Sequence, residues 1–334
     1  MKLIDLHADT ITTLYYDLDN FESDSEFIYP EPQSQLAKNK HRIDITKLQA
    51  ADSMAQFFAL WLNLEKSHKY NVSPWEHFLK LHKLLLAELA KSPNDIALAT
   101  DITTLEKNNT ANKISAFIGV EEGAFITKLD DLDTAYKMGV RYITLVWNYE
   151  THIGVPSFID QTRGLKEFGF AMVEKMQELG ILVDVSHLSD QGVRGVLSIT
   201  KKPIIASHSD VRNLCNNKRN LPDELIKKIA DNGGIIGVGC VPNFLDEVYK
   251  TIKIDTMVKH IQYIYNLAGI DVLALGNDFD GYKCYTPNED EIKNISDVPK
   301  LADRLLVSGF TSSQVEKIFN LNVLRVLREY SFPT

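Results

Sequence analysis

The sequence predicts an α/β fold, a TIM-like (β/α)8 barrel. Short apolar, β-branched runs alternate with longer segments of helical period, which is typical of parallel strands joined by helices. Eight such runs fit within 334 residues, a length that suits one large barrel. Side chains able to bind metal ions follow five of the eight runs, at the strand ends where barrel enzymes build their sites.

The eight apolar runs are the predicted barrel strands, and seven segments of helical period are predicted to pack around them. Gly139 and Gly180 follow two of these segments, where a left-handed C-terminal residue is expected. The predicted strands span residues 2–6, 55–62, 114–120, 140–146, 181–185, 203–206, 234–240 and 272–275. The predicted helices span residues 74–90, 129–138, 164–179, 190–199, 222–232, 255–268 and 312–328.

Two irregular segments, 17–44 and 282–296, follow the first and the eighth strand and are expected at the mouth of the barrel. The sequence contains no repeat, low-complexity tract or linker. We therefore expect a single domain over residues 1–334.

Charge and apolar content exclude several classes of partner. The chain has 36 Lys and Arg against 45 Asp and Glu, a formal net charge of −9, whereas nucleic acids and anionic membranes require basic patches. No apolar run approaches membrane-spanning length, and the N-terminus lacks the apolar core of a signal peptide. Three scattered cysteines, Cys215, Cys240 and Cys284, are expected to be reduced thiols. These features predict a cytoplasmic protein that binds neither nucleic acid nor membrane.

Four side chains at strand ends are candidate metal ligands. His7 and Asp9 follow the first strand two residues apart, so on an extended strand both point to the same side. His187 and His208 follow two consecutive strands, which lie side by side in a barrel. Each feature alone also occurs as a capping or rim-packing residue, but together they favour zinc or a related divalent ion.

Glu121 and Glu122 end the third predicted strand. Only one of them shares the inward parity of the strand. The alternative is that both face solvent, and Glu122 is the one more expected to do so. A carboxylate has two oxygens and can hold two cations close together. The fourth predicted strand contains no lysine that could serve as a modified bridging ligand. Glu121 is therefore the predicted bridge.

Two further residues are candidates for the chemistry. Asp278 follows the eighth strand, which adjoins the first in a closed barrel, and can pass a proton from activated water to a leaving amine. Its Asn-Asp-Gly surroundings also fit an ordinary turn. Arg219 lies in a polar loop and can hold a substrate carboxylate through two parallel hydrogen bonds, although a surface arginine is the alternative.

These residues lie in motifs that resemble the membrane (renal) dipeptidase family, peptidase family M19, in a soluble bacterial-type form. The similarity runs in order from residue 3 to about residue 281. The motifs are DLHAD at 5–9, HRID at 41–44, AQFFA at 55–59, VEEG at 120–123, DVSH at 184–187, PIIASHS at 203–209 and GNDFDG at 276–281.

The resemblance implies an amidohydrolase-type barrel with two zinc ions. It implies that His7 and Asp9 bind one ion, His187 and His208 the other, and that Glu121 bridges them. Asp278 would be the acid/base for attack by a metal-bridging hydroxide, and Arg219 would hold the terminal carboxylate of a dipeptide. A D-residue at the C-terminal position of the substrate is implied to be tolerated.

Three positions depart from the family pattern. Trp147 stands where well-studied members carry a substrate-contacting histidine, and His152, five residues on, is a candidate substitute. Glu122 replaces a family glycine, and Thr12 stands where some members have a substrate-contacting tryptophan. These departures concern the choice of substrate more than the metal site.

Sequence reasoning leaves two alternatives to a dipeptidase. The same site can act on N-acyl amino acids or on other small amides or lactones. A metal-binding protein without turnover is the non-enzymatic alternative, and retention of Asp278 argues against it. The expected partner is a small dipeptide, and a homodimer is left open.

Overall fold

The computed structural model describes residues 1–16, 35–69, 71–248, 250–282 and 289–330. The strands in this part of the chain are β1 (Leu3–Ala8), β2 (Ser53–Trp61), β3 (Ile96–Leu98), β4 (Ile114–Glu121), β5 (Val140–Thr144), β6 (Leu182–Asp184), β7 (Ile205–Ala206), β8 (Ile235–Val238) and β9 (Leu273–Leu275).

The α-helices in the described residues alternate with these strands. They are α1 (Thr10–Tyr16), α2 (Ile45–Ala50), α3 (Leu64–Lys69), α4 (Pro74–Lys91), α5 (Ile102–Thr110), α6 (Asp130–Lys137), α7 (Glu167–Leu179), α8 (Asp190–Ile199), α9 (Asp223–Asp231), α10 (Pro242–Leu245), α11 (Ile254–Ala268), α12 (Pro299–Val307), α13 (Ser312–Glu316) and α14 (Asn322–Glu329). A π-helical stretch, Lys317–Leu321, joins α13 to α14.

Eight strands form the predicted barrel, in the order β1-β2-β4-β5-β6-β7-β8-β9 with every pairing parallel. Each of the eight apolar runs overlaps one of these strands, so the predicted fold class is confirmed. The short strand β3 was not predicted, and it pairs with β4 outside the barrel order. Its three residues are too few to display a period.

The barrel is joined at its seam between β1 and β9. A parallel bridge links Ala8 to Phe279. The backbone N–H of Asp9 donates to the carbonyl oxygen of Phe279 at 2.9 Å, and the N–H of Asp278 donates to that of His7 at 3.1 Å. The seam therefore brings three of the predicted site residues onto adjacent backbone segments.

The centre of the barrel is filled by a small apolar cluster that draws on all eight barrel strands. Phe57 stacks on Phe117 with ring centroids 4.5 Å apart, and Tyr142 lies 5.9 Å from Phe57. The Tyr142 ring occupies the space beside Gly119, where a Cβ would lie only 1.8 Å from its Cε1. The strand members of the cluster are Ile4, Leu6, Ala55, Phe57, Ala59, Phe117, Tyr142, Leu182, Ile205, Ile235 and Ala274.

All seven predicted helices are present, with ends displaced by a few residues. Ser73 caps α4 because its side chain accepts from the N–H of Glu76, whose carboxylate accepts in return from the N–H of Ser73. Gly180 ends α7 in the predicted left-handed conformation, with φ +83°. The helices that were not predicted, α1, α2, α3, α5, α10 and α12, have nine residues or fewer.

The two irregular segments are only partly described. Residues 17–34 and 283–288, with Cys284, lie outside the described residues. The end of the first segment reaches the mouth, since the backbone N–H of Arg42 donates to Asp280 at 2.8 Å. Cys215 and Cys240 are free and buried. Among the described helices, none combines the length and the apolar character needed to span a bilayer.

Candidate metal centre

The five predicted ligand side chains lie together at the carboxyl ends of four strands. His7 is near the end of β1 and Asp9 follows it, Glu121 is the last residue of β4, and His187 and His208 follow β6 and β7. All five are buried. Side chains from the ends of parallel strands meet at one end of a barrel, which explains the convergence of residues so distant in sequence.

The first group of ligand atoms surrounds Nε2 of His7. This nitrogen lies 3.5 Å from Oδ2 of Asp9, 3.7 Å from Oε2 of Glu121 and 3.8 Å from Oδ1 of Asp278. None of these separations is a hydrogen bond. Two ligand atoms held at about 2.1 Å from one tetrahedral zinc ion are about 3.4 Å apart. The spacing therefore fits a cation between the side chains.

The second group surrounds the other oxygen of Glu121. Its Oε1 lies 2.9 Å from Nε2 of His187 and 3.5 Å from Nε2 of His208. The two imidazole nitrogens are 3.0 Å apart. Glu121 thus turns one oxygen toward each group, which is the arrangement that a bridging carboxylate requires.

Two buried polar atoms of the ligand cluster have no hydrogen-bond partner within the described residues. Nε2 of His7 and Oδ1 of Asp9 are both buried and make no hydrogen bond there. Ligand atoms of His7, Glu121 and His208 lie within 4.8 Å of one another, and so do those of His7, Asp9 and Asp278. Buried polar atoms without partners are costly, and a bound cation would satisfy them. The donor set of imidazole nitrogen and carboxylate oxygen suits zinc.

The Nδ1 atoms of His187 and His208, which face away from Glu121, lie within hydrogen-bonding distance of side-chain oxygens. Nδ1 of His187 lies 3.0 Å from Oδ1 of Asn148, and Nδ1 of His208 lies 2.8 Å from Oγ of Ser207. If each Nδ1 hydrogen is donated to these oxygens, both histidines present a bare Nε2 to Glu121. Two lone pairs and a carboxylate then face one point, where a cation is stabilising.

The centre is a region of strong negative potential. Burial, followed by repulsion from Glu121, raises the pKa of Asp9 to about 6. Burial also raises the pKa of Asp278 well above its usual value. Although burial disfavours a charged ring, the carboxylates of Glu121 and Asp9 raise the pKa of His7. These carboxyl groups therefore draw positive charge to their shared space.

Backbone strain concentrates at this end of the barrel. Four of the seven described non-glycine residues with positive φ are here, namely Glu122, His187, Asp278 and Asp280, with φ between +55° and +97°. Gly281 is required beside them, because a Cβ at this position would lie 2.3 Å from both Oδ1 of Asp278 and Oδ2 of Asp9. Such strain persists where the surrounding structure determines it, and it is common at functional sites.

Arg219 is buried beside the second ligand group. Its Nη2 donates to the carbonyl oxygen of His208 at 2.9 Å, and its Nη1 lies 3.4 Å from Oγ of Ser209. Nε of this guanidinium is buried without a hydrogen-bond partner in the described chain. The guanidinium also lies 5.3 Å from the ring centre of Phe244. The arginine is thus not a surface residue.

The prediction that Glu122 faces solvent is wrong. Its side chain is fully buried, and it accepts from the backbone N–H of Ala124 at 2.9 Å and from that of Trp147 at 3.1 Å. Its positive φ turns the side chain away from the parity of β4 and under the loop that follows β5. Burial raises the pKa of Glu122 to about 8.

Trp147 lies at the mouth as part of an aromatic wall, which we define as Trp61, Trp147 and Tyr149. The Trp147 ring is 4.9 Å from that of Trp61, 5.2 Å from that of Tyr149 and 6.1 Å from that of His187. Trp61 pairs in register with Glu121 on the neighbouring strand. All three rings are half-buried, so the wall borders the ligand cluster while remaining accessible.

The structure does not bring His152 into the cluster. Its Nε2 bonds to the carbonyl oxygen of Ile126 at 2.8 Å, and its ring packs on Phe168 at 4.9 Å. Thr12 is buried under the wall, where its hydroxyl accepts from the backbone N–H of Trp61 at 3.1 Å. The loop after β5 thus sends Trp147 toward the site and His152 away from it.

Sequence reasoning missed several side chains around the cluster. Asn148, Tyr142 and Ser207 contact the Nδ1 atoms of the ligand histidines. Asp184 accepts from the Ser207 hydroxyl, and Trp61 completes the aromatic wall. Ser207 and Asp184 do stand in the motifs of their histidines, so proximity in sequence was an available signal. Tyr142 and Trp61 look like ordinary strand aromatics, and only the barrel reveals their neighbours.

A family model described as membrane dipeptidase, peptidase family M19, matches residues 1–332. The chain belongs to the membrane dipeptidase family. The predicted family resemblance is therefore confirmed.

Curated relatives agree with this assignment. Dipeptidase 3 of Mus musculus is 30% identical over 235 residues, which cover 68% of this chain and 47% of the mouse protein. Dipeptidase 3 of Macaca fascicularis is 29% identical over 252 residues, which cover 73% of this chain and 50% of that protein. The chain thus spans about half the length of the curated relatives that it matches.

Solved structures of the family share the fold. A metallopeptidase from Rhodobacter sphaeroides, solved with a phosphinate mimic of the dipeptide L-Ala-D-Ala, matches with a TM-score of 0.84 and 19% identity over 99% of both chains. A probable dipeptidase, PvdM, from Pseudomonas aeruginosa matches with a TM-score of 0.81 and 20% identity, covering 88% of this chain and 90% of that one.

Proposed function

We propose that this protein is a dipeptidase that holds two zinc ions and hydrolyses the peptide bond of small dipeptides. The carboxylate of Glu121 carries the proposal, because its Oε2 faces the group around His7 and its Oε1 faces the imidazoles of His187 and His208. Family membership supports the reaction class. When bound, the metal ions would lower the pKa of water and polarise the scissile carbonyl.

In this proposal Asp278 moves the proton. Its Oδ1 lies 3.8 Å from Nε2 of His7, at the edge of the first ligand group. Its carboxylate can accept a proton from activated water and return it to the nitrogen of the leaving amine. Gly281 leaves room for this carboxyl group beside Asp9.

Arg219 is proposed to bind the C-terminal carboxylate of the dipeptide. The guanidinium is desolvated and lies next to His208, within reach of a substrate whose carbonyl sits over the second ligand group. A buried guanidinium binds a carboxylate strongly through charge-assisted hydrogen bonds. A dipeptide with a D-residue at its C-terminus remains a proposed substrate, supported by the L-Ala-D-Ala mimic in the Rhodobacter sphaeroides structure.

The aromatic wall is proposed to face the N-terminal residue of the dipeptide. It lies on the β2 and β5 side of the mouth, whereas Arg219 lies beyond β7, across the ligand cluster. A dipeptide held at its carboxylate end by Arg219 would therefore extend toward Trp147. We propose that Trp147 contacts the first side chain by packing, since an indole ring offers a large apolar face. We do not extend this role to His152, which bonds elsewhere.

A second candidate substrate class is favoured by the same arginine. An N-acyl amino acid also carries a carboxylate beside its amide bond, and Arg219 would bind it in the same way. The difference lies at the other end, where a dipeptide presents an ammonium group and an N-acyl amino acid does not.

A substrate panel tests the proposal. The zinc-loaded protein is assayed with L,L-, L,D- and D,D-dipeptides, their N-acetyl forms and N-acyl amino acids, with Asp278→Asn as the control for contaminating peptidases. We expect turnover of free dipeptides with kcat/KM well above that of the N-acetyl forms. Turnover confined to N-acyl amino acids would select the second class, and turnover of nothing in the panel would reject the dipeptidase proposal.

A further inference from the structure

One serine hydroxyl contacts a histidine from each of the two groups of ligand atoms, at the ring nitrogen that faces away from Glu121. Oγ of Ser207 is 2.8 Å from Nδ1 of His208 and 3.3 Å from Nδ1 of His7. The same hydroxyl donates to Oδ2 of Asp184 at 2.7 Å. His7 and His208 belong to different groups of ligand atoms, so Ser207 contacts one histidine of each group.

Asp184 is buried, and hydrogen bonds engage both of its oxygens. Oδ1 accepts from the backbone N–H groups of Ser186 at 3.0 Å and Ser207 at 2.9 Å. Oδ2 accepts from the hydroxyls of Thr144 at 2.6 Å and Ser207 at 2.7 Å. An ionised carboxylate can only accept hydrogen bonds. The hydroxyl hydrogen of Ser207 is therefore committed to Asp184.

Because its hydrogen is bonded to Asp184, the Ser207 hydroxyl can only accept hydrogen bonds from the histidines. With its single hydrogen engaged, Oγ presents lone pairs to both Nδ1 atoms. A neutral imidazole carries one hydrogen, and a lone pair opposite Nδ1 keeps that hydrogen on Nδ1. Nε2 is then the nitrogen left to bind metal, and Nε2 is the atom of His7 and of His208 that faces Glu121.

We propose that Asp184, acting through Ser207, is a positioning residue that sets the Nδ1-protonated tautomer of His208, keeps a hydrogen on Nδ1 of His7, and so prepares both histidines to bind metal through Nε2. The consequence for metal binding rests on the proposed function, whereas the tautomer does not. Tyr142 supplies the rival arrangement. Its hydroxyl lies 3.2 Å from Nδ1 of His7, and donation from it would move the His7 hydrogen to Nε2.

Asp184→Asn tests the proposal because the orientation of the new amide is predetermined. Two backbone N–H groups point at the Oδ1 position, so the amide oxygen must occupy it and the NH2 group must face Ser207. The serine hydroxyl would then turn its hydrogen toward Nδ1 of His208. Ser207→Ala removes the link, and Ser207→Thr retains a hydroxyl and should restore it.

Ser186→Ala is the matched control. The Ser186 hydroxyl accepts from the backbone N–H of His208 at 3.1 Å and lies 3.3 Å from Oγ of Ser207, but it bonds to neither imidazole ring. Two distant histidines report an intact fold. Nε2 of His260 bonds to the carbonyl oxygen of Leu245, and Nε2 of His82 bonds to that of Met138.

The first measurement is the ¹⁵N shift of the His208 ring nitrogens in metal-stripped protein at neutral pH. Burial lowers the pKa of His208 well below its usual value, so the ring is neutral there. We expect Nδ1-protonated His208 in the wild type, Ser207→Thr and Ser186→Ala, and the Nε2-protonated form in Asp184→Asn, with His82 and His260 unchanged. An unchanged His208 tautomer in Asp184→Asn would overturn the proposal.

The second measurement is zinc affinity at both sites by competition with a chromophoric chelator. We expect Asp184→Asn and Ser207→Ala to weaken both sites by about tenfold to a hundredfold, and Tyr142→Phe to leave the affinities near the wild type. Loss in Tyr142→Phe with none in Ser207→Ala would overturn the proposal in favour of Tyr142. A wild type that binds no zinc would reject the proposed function instead, and the His208 tautomer would still decide the inference.

Discussion

The backbone N–H of Asp278 donates to the carbonyl oxygen of His7 across the barrel seam, at 3.1 Å. This bond connects the loop after the last strand to the end of the first. As a result, the Asp278 carboxyl group lies beside the first ligand group although 271 positions separate the two residues. Its position at the edge of the ligand atoms suits a group that transfers protons.

Asp278→Asn is expected to retain the metals and lose most of the turnover. Asparagine has the same shape but cannot take up the proton, so kcat should fall by about 10²- to 10⁴-fold. Metal analysis and steady-state kinetics on one preparation provide the measurement. A near-normal kcat in metal-replete Asp278→Asn protein would remove this residue from the mechanism.

Metal content should respond differently to two ligand substitutions. Glu121→Ala removes an oxygen from each ligand group, so both metals should be weakened together. His187→Ala removes a nitrogen from the second group only, and one metal should remain. Elemental analysis after dialysis against a weak chelator measures the difference. One metal per wild-type chain, or equal losses in the two variants, would contradict the bridging role of Glu121.

Arg219→Met should damage the hydrolysis of a free dipeptide far more than that of its C-terminal amide. The amide carries no carboxylate, whereas loss of a buried charge-assisted pair should lower kcat/KM for the free dipeptide by about 30-fold or more. Arg219→Lys should restore only part of the activity, because an ammonium cannot reproduce two parallel hydrogen bonds.

Arg212 provides the matched control for that comparison. It lies in the same loop region, and its guanidinium pairs with both oxygens of Asp190. Arg212→Met should affect the dipeptide and its amide alike, through stability. If Arg219→Met also lowered both activities equally, the carboxylate-binding role would be rejected in favour of its bond to the His208 carbonyl oxygen.

The buried neutral ring of His77 should cause the free energy of unfolding to fall in mild acid. Burial, followed by repulsion from Lys80, lowers the pKa of His77 to about 4. An unfolded chain protonates this ring near pH 6.5. The stabilising contribution of the neutral ring is therefore fully present above pH 6.5 and is lost as the pH falls from 6.5 to 4. The loss should reach about 3 kcal/mol by pH 4.

The comparison with His77→Gln isolates this contribution. The neutral ring bonds to the hydroxyls of Tyr16 and Ser67, and a glutamine amide can bond to both without titrating. Denaturant unfolding of metal-stripped wild type and variant at pH 7 and at pH 4.5 provides the measurement. Parallel losses in the two proteins over this range would assign the acid sensitivity to other groups.

The sequence by itself determined the barrel and the identity of the candidate ligands. The eight apolar runs could be recognised because buried parallel strands need continuous apolar side chains, a local property. The ligand residues could be recognised because they directly follow those runs, as in His187 after β6 and His208 after β7. Any barrel with these strands brings their ends to one mouth.

Tertiary structure alone decided the details that depend on neighbours across the barrel. Glu122 was expected in solvent, yet its positive φ turns it beneath Trp147. His152 and Trp147 lie five positions apart in one loop, but only Trp147 faces the ligands. The strand β3 has too few residues for a local period, and six short helices were also found only in the structure.

The hydrogen-bonded link from Asp184 through Ser207 to His7 is the clearest feature that only the tertiary structure decided. Its members come from β6, the end of β7 and β1, up to 200 positions apart. Hydrogen bonds act over about 3 Å and depend on direction, so no pattern along the chain can encode which hydroxyl serves which ring. Apolar periodicity can be recognised in the sequence because burial is non-directional. Hydrogen-bond partners, in contrast, come together only once the strands have closed into a barrel.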